Sequence, residues 1–320
     1  MIRGLYTSAS GMLALQNRQE SLATNLANIN TPGYKQDVGV MRAFPEQLIA
    51  RIRDQQGPDI QGMPQMTGQA AVIGRLHTGV YMSEALPVFA QGDIAETHNP
   101  YDVALMDNLQ PDGDGNERRL FFSVARIEDL DQPADPEQIR YTRSGNWNVN
   151  ADGYLITPDG YYVLDNQNTA IRINDPMGIS VGQNLLIGTA GELMYEDPDT
   201  GVMTAMPNER LGLAVISTPQ MLVREGVGVF RYEGDIAPLT LEEAEAEDQT
   251  ALAAGEYTQS RIEGRYGTKQ GWLERANVDP AQAMTDMMTV LRAYEANQRV
   301  MTTIDGTLEK AANDIGKVNG

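Results

Sequence analysis

The sequence predicts an α+β protein in which long N- and C-terminal helices pair as a coiled coil and flank a central antiparallel β domain. Three observations predict it. The first thirty residues carry an apolar stripe with alternating spacings of 3 and 4, and the last fifty carry another. Between them lie short β-branched and aromatic runs broken by Asp-Gly pairs.

In the N-terminal stripe one set of positions is Leu5, Met12, Gln19 and Leu26, and the other is Ser8, Leu15, Leu22 and Ile29. Spacings of 3 and 4 bring these onto one narrow helix face, the seam of helix–helix packing. Pro32 cannot sit inside a helix and Pro32-Gly33 favours a turn, so the helix is expected to stop near Ile29.

The C-terminal helix is expected to open at Asp279-Pro280-Ala281-Gln282, which reads as an N-cap, a proline at the first helical position and Gln three residues after the cap. Its stripe runs Met284, Met287, Leu291, Tyr294, Gln298, Met301, Asp305, Leu308, Ala312 and Ile315. Polar members of a seam, here Gln298 and Asp305 and at the other end Ser8 and Gln19, can fix register at some cost in stability. Apolar seam positions Leu5, Met12, Leu15, Leu22, Leu26, Ile29, Met284, Met287, Leu291, Tyr294, Met301 and Leu308 are the candidate assembly residues.

Between the helices, Tyr141-Thr142-Arg143, Trp147–Asn150, Tyr154-Leu155-Ile156, Tyr161–Leu164, Ile171-Arg172-Ile173 and Leu211–Ile216 read as strands. Asp152-Gly153 and Asp159-Gly160 read as hairpin turns. The expected organisation is an axial helix over 1–35, an extended arm or linker over 36–75 and a β-rich outer domain over 76–235. An acidic linker or insert over 236–270 and a C-terminal axial helix over 271–320 complete it. The arm holds one helix-like piece around 44–53. The acidic run Leu241–Asp248 is expected to be a solvated loop or short exposed helix, with a docking tail for a basic partner as the lesser alternative.

Composition narrows function. The 320 residues contain no cysteine, which removes disulfides and thiolate metal sites. A net charge of −20 repels nucleic-acid backbones and anionic lipid surfaces. The ends are nearly neutral, and the middle carries the charge. No run reaches the roughly 18 apolar residues of a membrane span. Gln16, Asn17, Arg18 and Gln19 interrupt the apolar start, so no cleavable signal peptide is expected.

Chemistry finds little support. His77 and His98 are the only histidines, and each is read as structural or surface. Gly226-Val227-Gly228 lacks the third glycine of a dinucleotide loop, and no phosphate loop or nucleophile elbow occurs. Asp112-Gly113-Asp114-Gly115-Asn116 has Glu117 and Ser123 where a calcium loop needs Gly and Glu, so it is read as a polar hairpin tip. Asp197-Pro198-Asp199-Thr200-Gly201 is read as a turn. No catalytic, cofactor-binding or metal residue is assigned.

Leu5–Met12 followed by Asn25-Leu26-Ala27-Asn28-Ile29-Asn30-Thr31-Pro32-Gly33-Tyr34-Lys35 resembles the N-terminal signature of the bacterial flagellar rod, hook and hook-associated proteins. Gly271–Asp279, which holds Asn277 and Val278, then Met284, Met287 and Leu291–Asn297, is similar to that family's C-terminal module. Gln91–Leu105, Tyr141–Gly145 and Asp152–Leu155 resemble its β-domain entry. Departures are a polar hairpin at 106–120, a second loop at 128–138 and the acidic 236–260 stretch. The resemblance, strongest to the distal rod subunit, implies a non-enzymatic building block of the basal body that polymerises through its terminal helices into a tube around the export channel. Implied partners are its own copies, other rod and hook proteins, the type III export apparatus and a bushing ring. Export would proceed without a cleavable signal peptide. A hook or proximal-rod subunit stays open as an alternative, and a secreted β-domain enzyme or glycan-binding module is the rival from another class.

Overall fold

The computed structural model describes residues 2–45, 47–51, 71–76, 78–112, 115–127, 129–130, 132–173, 185–196, 203–235, 237–254 and 260–315. Its elements, in chain order, are α1 (Ile2–Ala27), β1 (Asp37–Ala43), β2 (Gln47–Arg51), β3 (Ala71–Leu76), β4 (Val80–Pro87), β5 (Ile94–Glu96) and β6 (Val103–Asp107). There follow β7 (Arg119–Ala125), β8 (Ile139–Thr142), β9 (Asn148–Val149), β10 (Leu155–Ile156), β11 (Tyr162–Val163), β12 (Leu185–Ile187), β13 (Glu192–Glu196) and β14 (Met203–Arg210). Last come β15 (Leu213–Ile216), β16 (Leu222–Arg224), β17 (Val229–Tyr232), β18 (Leu239–Thr240), α2 (Leu241–Ala253), β19 (Tyr266–Gln270), β20 (Trp272–Glu274) and α3 (Pro280–Ile315). Three helices and several antiparallel sheets make the chain α+β. No helix among the described residues is long and apolar enough to cross a membrane.

Two compact units emerge. One comprises residues 1–26, 37–86 and 280–320, and the other 27–36 and 87–279. These bounds differ from the expected ones, because the segment after α1 groups with the β-rich unit and the 37–86 arm groups with the terminal helices.

The β-rich unit is built on a nine-stranded antiparallel sheet, ordered β16-β17-β8-β7-β11-β10-β9 with β15 joining β7 and β18. Its central strand β7 carries Leu120-Phe121-Phe122-Ser123-Val124-Ala125, buried along its length. Side chains of a strand alternate between faces. Leu120, Phe122 and Val124 therefore join one core with Trp147, Leu155, Val163 and Leu213, while Phe121 and Ala125 join a second with Phe89, Tyr141 and Phe230. Phe122 meets Trp147 edge to face at 4.7 Å. Gly153 and Gly160 have φ of +86° and +78°, so both Asp-Gly turns fold as the sequence suggests.

In the other unit α1 stops at Ala27, two residues short of Ile29, and α3 starts at Pro280 directly after Asp279. β1 pairs with β4, and β2 with β3. The helix-like piece expected around 44–53 is thus corrected: Gln47–Arg51 is a strand. A pairing strand at Ala71–Leu76 overrides local pattern, the usual reason short apolar runs are misread. The acidic run forms α2, with a capping box between Thr240 and Glu243, and it buries Leu241, Ala244 and Asp248. Asp112 closes its hairpin turn by accepting from Asn116 N and Nδ2 at 2.8 and 3.0 Å. His98 is exposed, with φ +58°. His77, Gly113, Asp114 and the turn at 197–201 lie outside the described residues.

Gly145 approaches the backbone so closely that an added Cβ would stand 1.7 Å from Val103 O. Gly145→Ala is expected to destabilise the chain by about 2–3 kcal/mol through forced backbone displacement. Urea unfolding measures it, and a change under about 0.5 kcal/mol would show that the strands are free to separate there.

A buried charge cluster joins both chain ends

The N-terminal signature turns sharply after α1. Thr31 N donates to Asn28 O at 3.0 Å and Tyr34 N to Thr31 O at 3.3 Å. Gly33 has φ +67°, and an added Cβ would stand 2.4 Å from Ser144 N, so glycine is required on two grounds. Its N–H donates to Glu274 O at 2.8 Å, which ties the turn to β20. Tyr34 and Lys35 follow, both buried.

Four charged side chains then meet out of water. Lys35 Nζ lies 2.6 Å from Glu274 Oε1, Arg143 Nε 3.0 Å from Glu274 Oε2 and Arg143 Nη1 3.1 Å from Asp107 Oδ2. None of the four side chains is more than 2 % exposed. Lys35 also donates to Ala90 O, and Glu274 Oε1 accepts from Gly92 N at 2.8 Å. Asp107 accepts from the backbone N–H groups of Leu120 and Leu109 at 3.0 and 3.3 Å. Two cations thus face two anions, with backbone groups filling most remaining valences.

Burial pulls the Lys35 ammonium from its ordinary 10.5 down to about 8, against the upward pull of Glu274 and with a further push from Arg143. For Glu274 burial pushes the carboxyl up, but Arg143, Lys35 and the hydrogen bonds from Lys35 and Gly92 outweigh it and hold it below its ordinary range. All of this leaves the Lys35–Glu274 pair charged at neutral pH.

A second layer surrounds the cluster. Asn277 Oδ1 accepts from Gln36 N at 2.7 Å, and its Nδ2 donates to Val88 O at 2.8 Å. Arg224 donates to Lys35 O at 2.6 Å and stacks over Tyr34 and Phe230, 4.7 and 5.1 Å from the ring centroids. The segment leaving α1 and the segment entering α3 are therefore bonded to each other and to the nine-stranded sheet. No group of three or more metal-ligating side chains occurs among the described residues. The cluster has the character of a joint.

Of the signature residues, Gly33, Tyr34 and Val278 are buried, Asn28, Thr31, Pro32 and Asn277 half-buried, and Ala27, Asn30 and Asp279 exposed. Arg143, Asp107, Glu274 and Arg224 were not singled out from sequence as site residues. One signal was readable: in β6 the inward parity runs Val103, Leu105, Asp107, which puts a carboxylate on an apolar face.

The seam residues distribute unevenly. On α1, Leu5, Met12, Leu15, Leu22 and Leu26 are half-buried, as is Ile29 just beyond it, while the deepest positions of the helix are small or polar: Ser8, Gly11, Ala14 and Asn25. A Cβ on Gly4 would stand 3.1 Å from Ile304 Cδ1 and one on Gly11 3.4 Å from Asn297 Nδ2, so α1 and α3 touch there in antiparallel sense. On α3, Met287, Tyr294, Met301 and Leu308 are half-buried, but Met284 and Leu291 are exposed. Ala283, Val290, Asn297 and Ile304 take the inner line instead, one step from the expected positions. Gln298 and Asp305 are exposed, as Met284 and Leu291 are.

Comparisons with known proteins bear on the same segments. Residues 5–35 match the family described as flagella basal body rod protein, 121–195 the flagellar hook protein FlgE/F/G D1 domain, and 269–314 the flagellar basal body rod FlgEFG protein C-terminal family. Lys35, Arg143 and Glu274 come one from each. The chain is 33 % identical over 320 residues to the flagellar hook-basal body complex protein FlhO of Bacillus subtilis, covering 99 % of this chain and 100 % of that one. It is 32 % identical over 307 residues to the flagellar basal-body rod protein FlgG of Agrobacterium fabrum, covering 95 % and 96 %. With the flagellar basal-body rod protein FlgF of Salmonella typhimurium it shares 28 % identity over 315 residues, 98 % of each chain.

Removing one partner of a buried ion pair strands the other, so Glu274→Gln and Arg143→Met are each expected to lose about 3 kcal/mol in urea unfolding at pH 7. Acid sharpens the test. The folded Glu274 keeps its charge to lower pH than the unfolded chain, so the unfolded chain binds more protons once pH falls below about 4.5, and stability drops as pH passes through the folded value. The parent's advantage over Glu274→Gln should shrink on that descent. Lys35 has the same sign in a higher window: between about 8 and 10.5 the folded chain has released a proton that the unfolded chain retains, so stability attributable to Lys35 also rises with pH there. A pH-independent gap between the parent and either Glu274→Gln or Lys35→Met would contradict the assignment.

Proposed function

The chain belongs to the family of flagellar basal-body rod and hook proteins, and from that premise we propose that it is a distal-rod-type subunit, polymerising through its terminal helices into a tube that transmits torque and encloses the export channel. It is a structural protein of the basal body rather than an enzyme. The observation that carries the finer reading is the buried cluster of Lys35, Arg143, Glu274 and Asp107, which ties the segment that follows α1 and the segment that precedes α3 to one sheet. A subunit that passes torque between neighbours needs its assembling elements anchored to its body.

The helices α1 and α3 pair along the Gly4–Ile304 and Gly11–Asn297 contacts as an antiparallel coiled coil. Half-buried Leu15, Leu22, Met287 and Tyr294 lie in that seam, and exposed Met284 and Leu291 are left for neighbouring subunits. Ser8, Gly11 and Asn25 in the α1 seam bury little apolar area, so a free monomer orders its termini weakly and completes them on assembly. Passage through the type III export apparatus precedes that step. The remaining partners are the adjoining rod and hook proteins, and a bushing ring around the outer surface.

Leu22→Asp with Leu291→Asp is expected to abolish polymer in sedimentation of the concentrated protein. The β-rich unit should keep its cooperative unfolding transition. Normal polymer from the double variant would remove these seams from the mechanism.

A further inference from the structure

On the proposed reading of assembly through terminal helices, we infer that one copy docks the Tyr6/Leu13 face of its α1 on the Met284/Met288/Leu291 face of a second copy's α3, displaced by about 16 Å along the helix axis.

Two apolar patches on the terminal helices are exposed. On α1, Tyr6 and Leu13 are 67 % and 64 % exposed, and two turns apart they share one face. On α3, Met284, Met288 and Leu291 are 51 %, 53 % and 39 % exposed at spacings of 4 and 3. Elsewhere the outward positions are mostly polar, with Gln16, Asn17 and Glu20 on α1 and Glu295, Gln298, Thr302 and Asp305 on α3, Val300 being an isolated apolar exception at 47 % exposed. Each helix thus carries one cluster of exposed large apolar side chains.

Register places the segments at different heights. Gly4 stands level with Ile304 and Gly11 with Asn297. On that antiparallel register Met284–Leu291 stands level with residues 17–24 of α1, so its centre lies about 11 residues, or about 16 Å at 1.5 Å per residue, from the centre of Tyr6–Leu13. One chain therefore cannot cover its own patches. A second copy shifted by that amount brings Leu13 against Met284 and Tyr6 against Leu291, with Met288 between them.

The occupant is a second copy for two reasons. The patches differ, so pairing one with the other is heterologous and leaves a free patch at each end, which propagates; a two-fold contact of either patch with itself would close at a dimer. The patches also match chemically, because unbranched methionines adapt to an aromatic and a leucine. Self-association of this kind is what the family assignment requires.

The absence of native cysteine makes the test direct. Leu13→Cys with Met284→Cys, and separately Tyr6→Cys with Leu291→Cys, are introduced into the full chain, polymer is formed and oxidised, and products are resolved without reductant. Within one chain each pair stands about 16 Å apart along the axis, beyond the roughly 7 Å Cα separation a disulfide spans. A ladder of dimers, trimers and higher species from both double variants, at least tenfold above the single variants, is the expected result. Polymer that forms normally but yields no ladder overturns the staggered contact, assigns the patches to a different axial protein or to solvent, and leaves assembly by terminal helices standing. Failure of the cysteine-free parent to polymerise overturns both.

Discussion

Everything in the β-rich unit is arranged around four charges that water does not reach. Taking Lys35, Arg143, Glu274 and Asp107 out of solvent costs several kcal/mol per ion, and close pairing offsets that cost only while every partner is in place. The partners come from sequence positions far apart: the turn after α1, the end of β8, the last residue of β20 and the last residue of β6. A cluster of this kind adds little to stability over an apolar core, but it penalises every arrangement in which one segment is missing. It therefore selects a fold in which the segments around Lys35, Asp107, Arg143 and Glu274 are all seated.

The backbone around the cluster is shaped to permit it. Gly33 takes a positive φ against Ser144, and Gly92 sits so close to Arg275 that an added Cβ would stand 2.1 Å from its carbonyl oxygen. Asn277 uses its whole amide, accepting from Gln36 and donating to Val88, so that one side chain bonds the strand before α3 to the segment after α1. These contacts bond the segment after α1 and the segment before α3 to the β-rich unit. The triple of Phe89, Phe121 and Phe230, with centroids 5.2 to 6.4 Å apart, backs that joint with a packed aromatic core.

Much of this was legible in the sequence, for reasons that can be named. Helix ends were set by local chemistry, Pro32-Gly33 at one and Asp279-Pro280 at the other, and local chemistry decides such boundaries. The Asp-Gly hairpins were legible for the same reason. Less legible was which line of α3 is buried within the chain: Met284 and Leu291 are exposed beside buried Ala283 and Val290, and Ile304 and Asn297 approach Gly4 and Gly11 of α1, a contact that spacing within one helix does not reveal. The strand at Gln47–Arg51 was misread because its partner lies more than twenty residues away. The charge cluster was missed because each member looks solvated in its own segment, and its meaning arises only when four segments meet. No spacing rule links Lys35 to Glu274.

The terminal helices fall in one compact unit and the nine-stranded sheet in the other. The most direct test is electron microscopy of the concentrated full chain near neutral pH. The account predicts straight tubes with an axial channel. Curved tubes would contradict the distal-rod assignment in favour of a hook-like subunit, and a chain that stays monomeric at every concentration would contradict assembly through the terminal helices altogether.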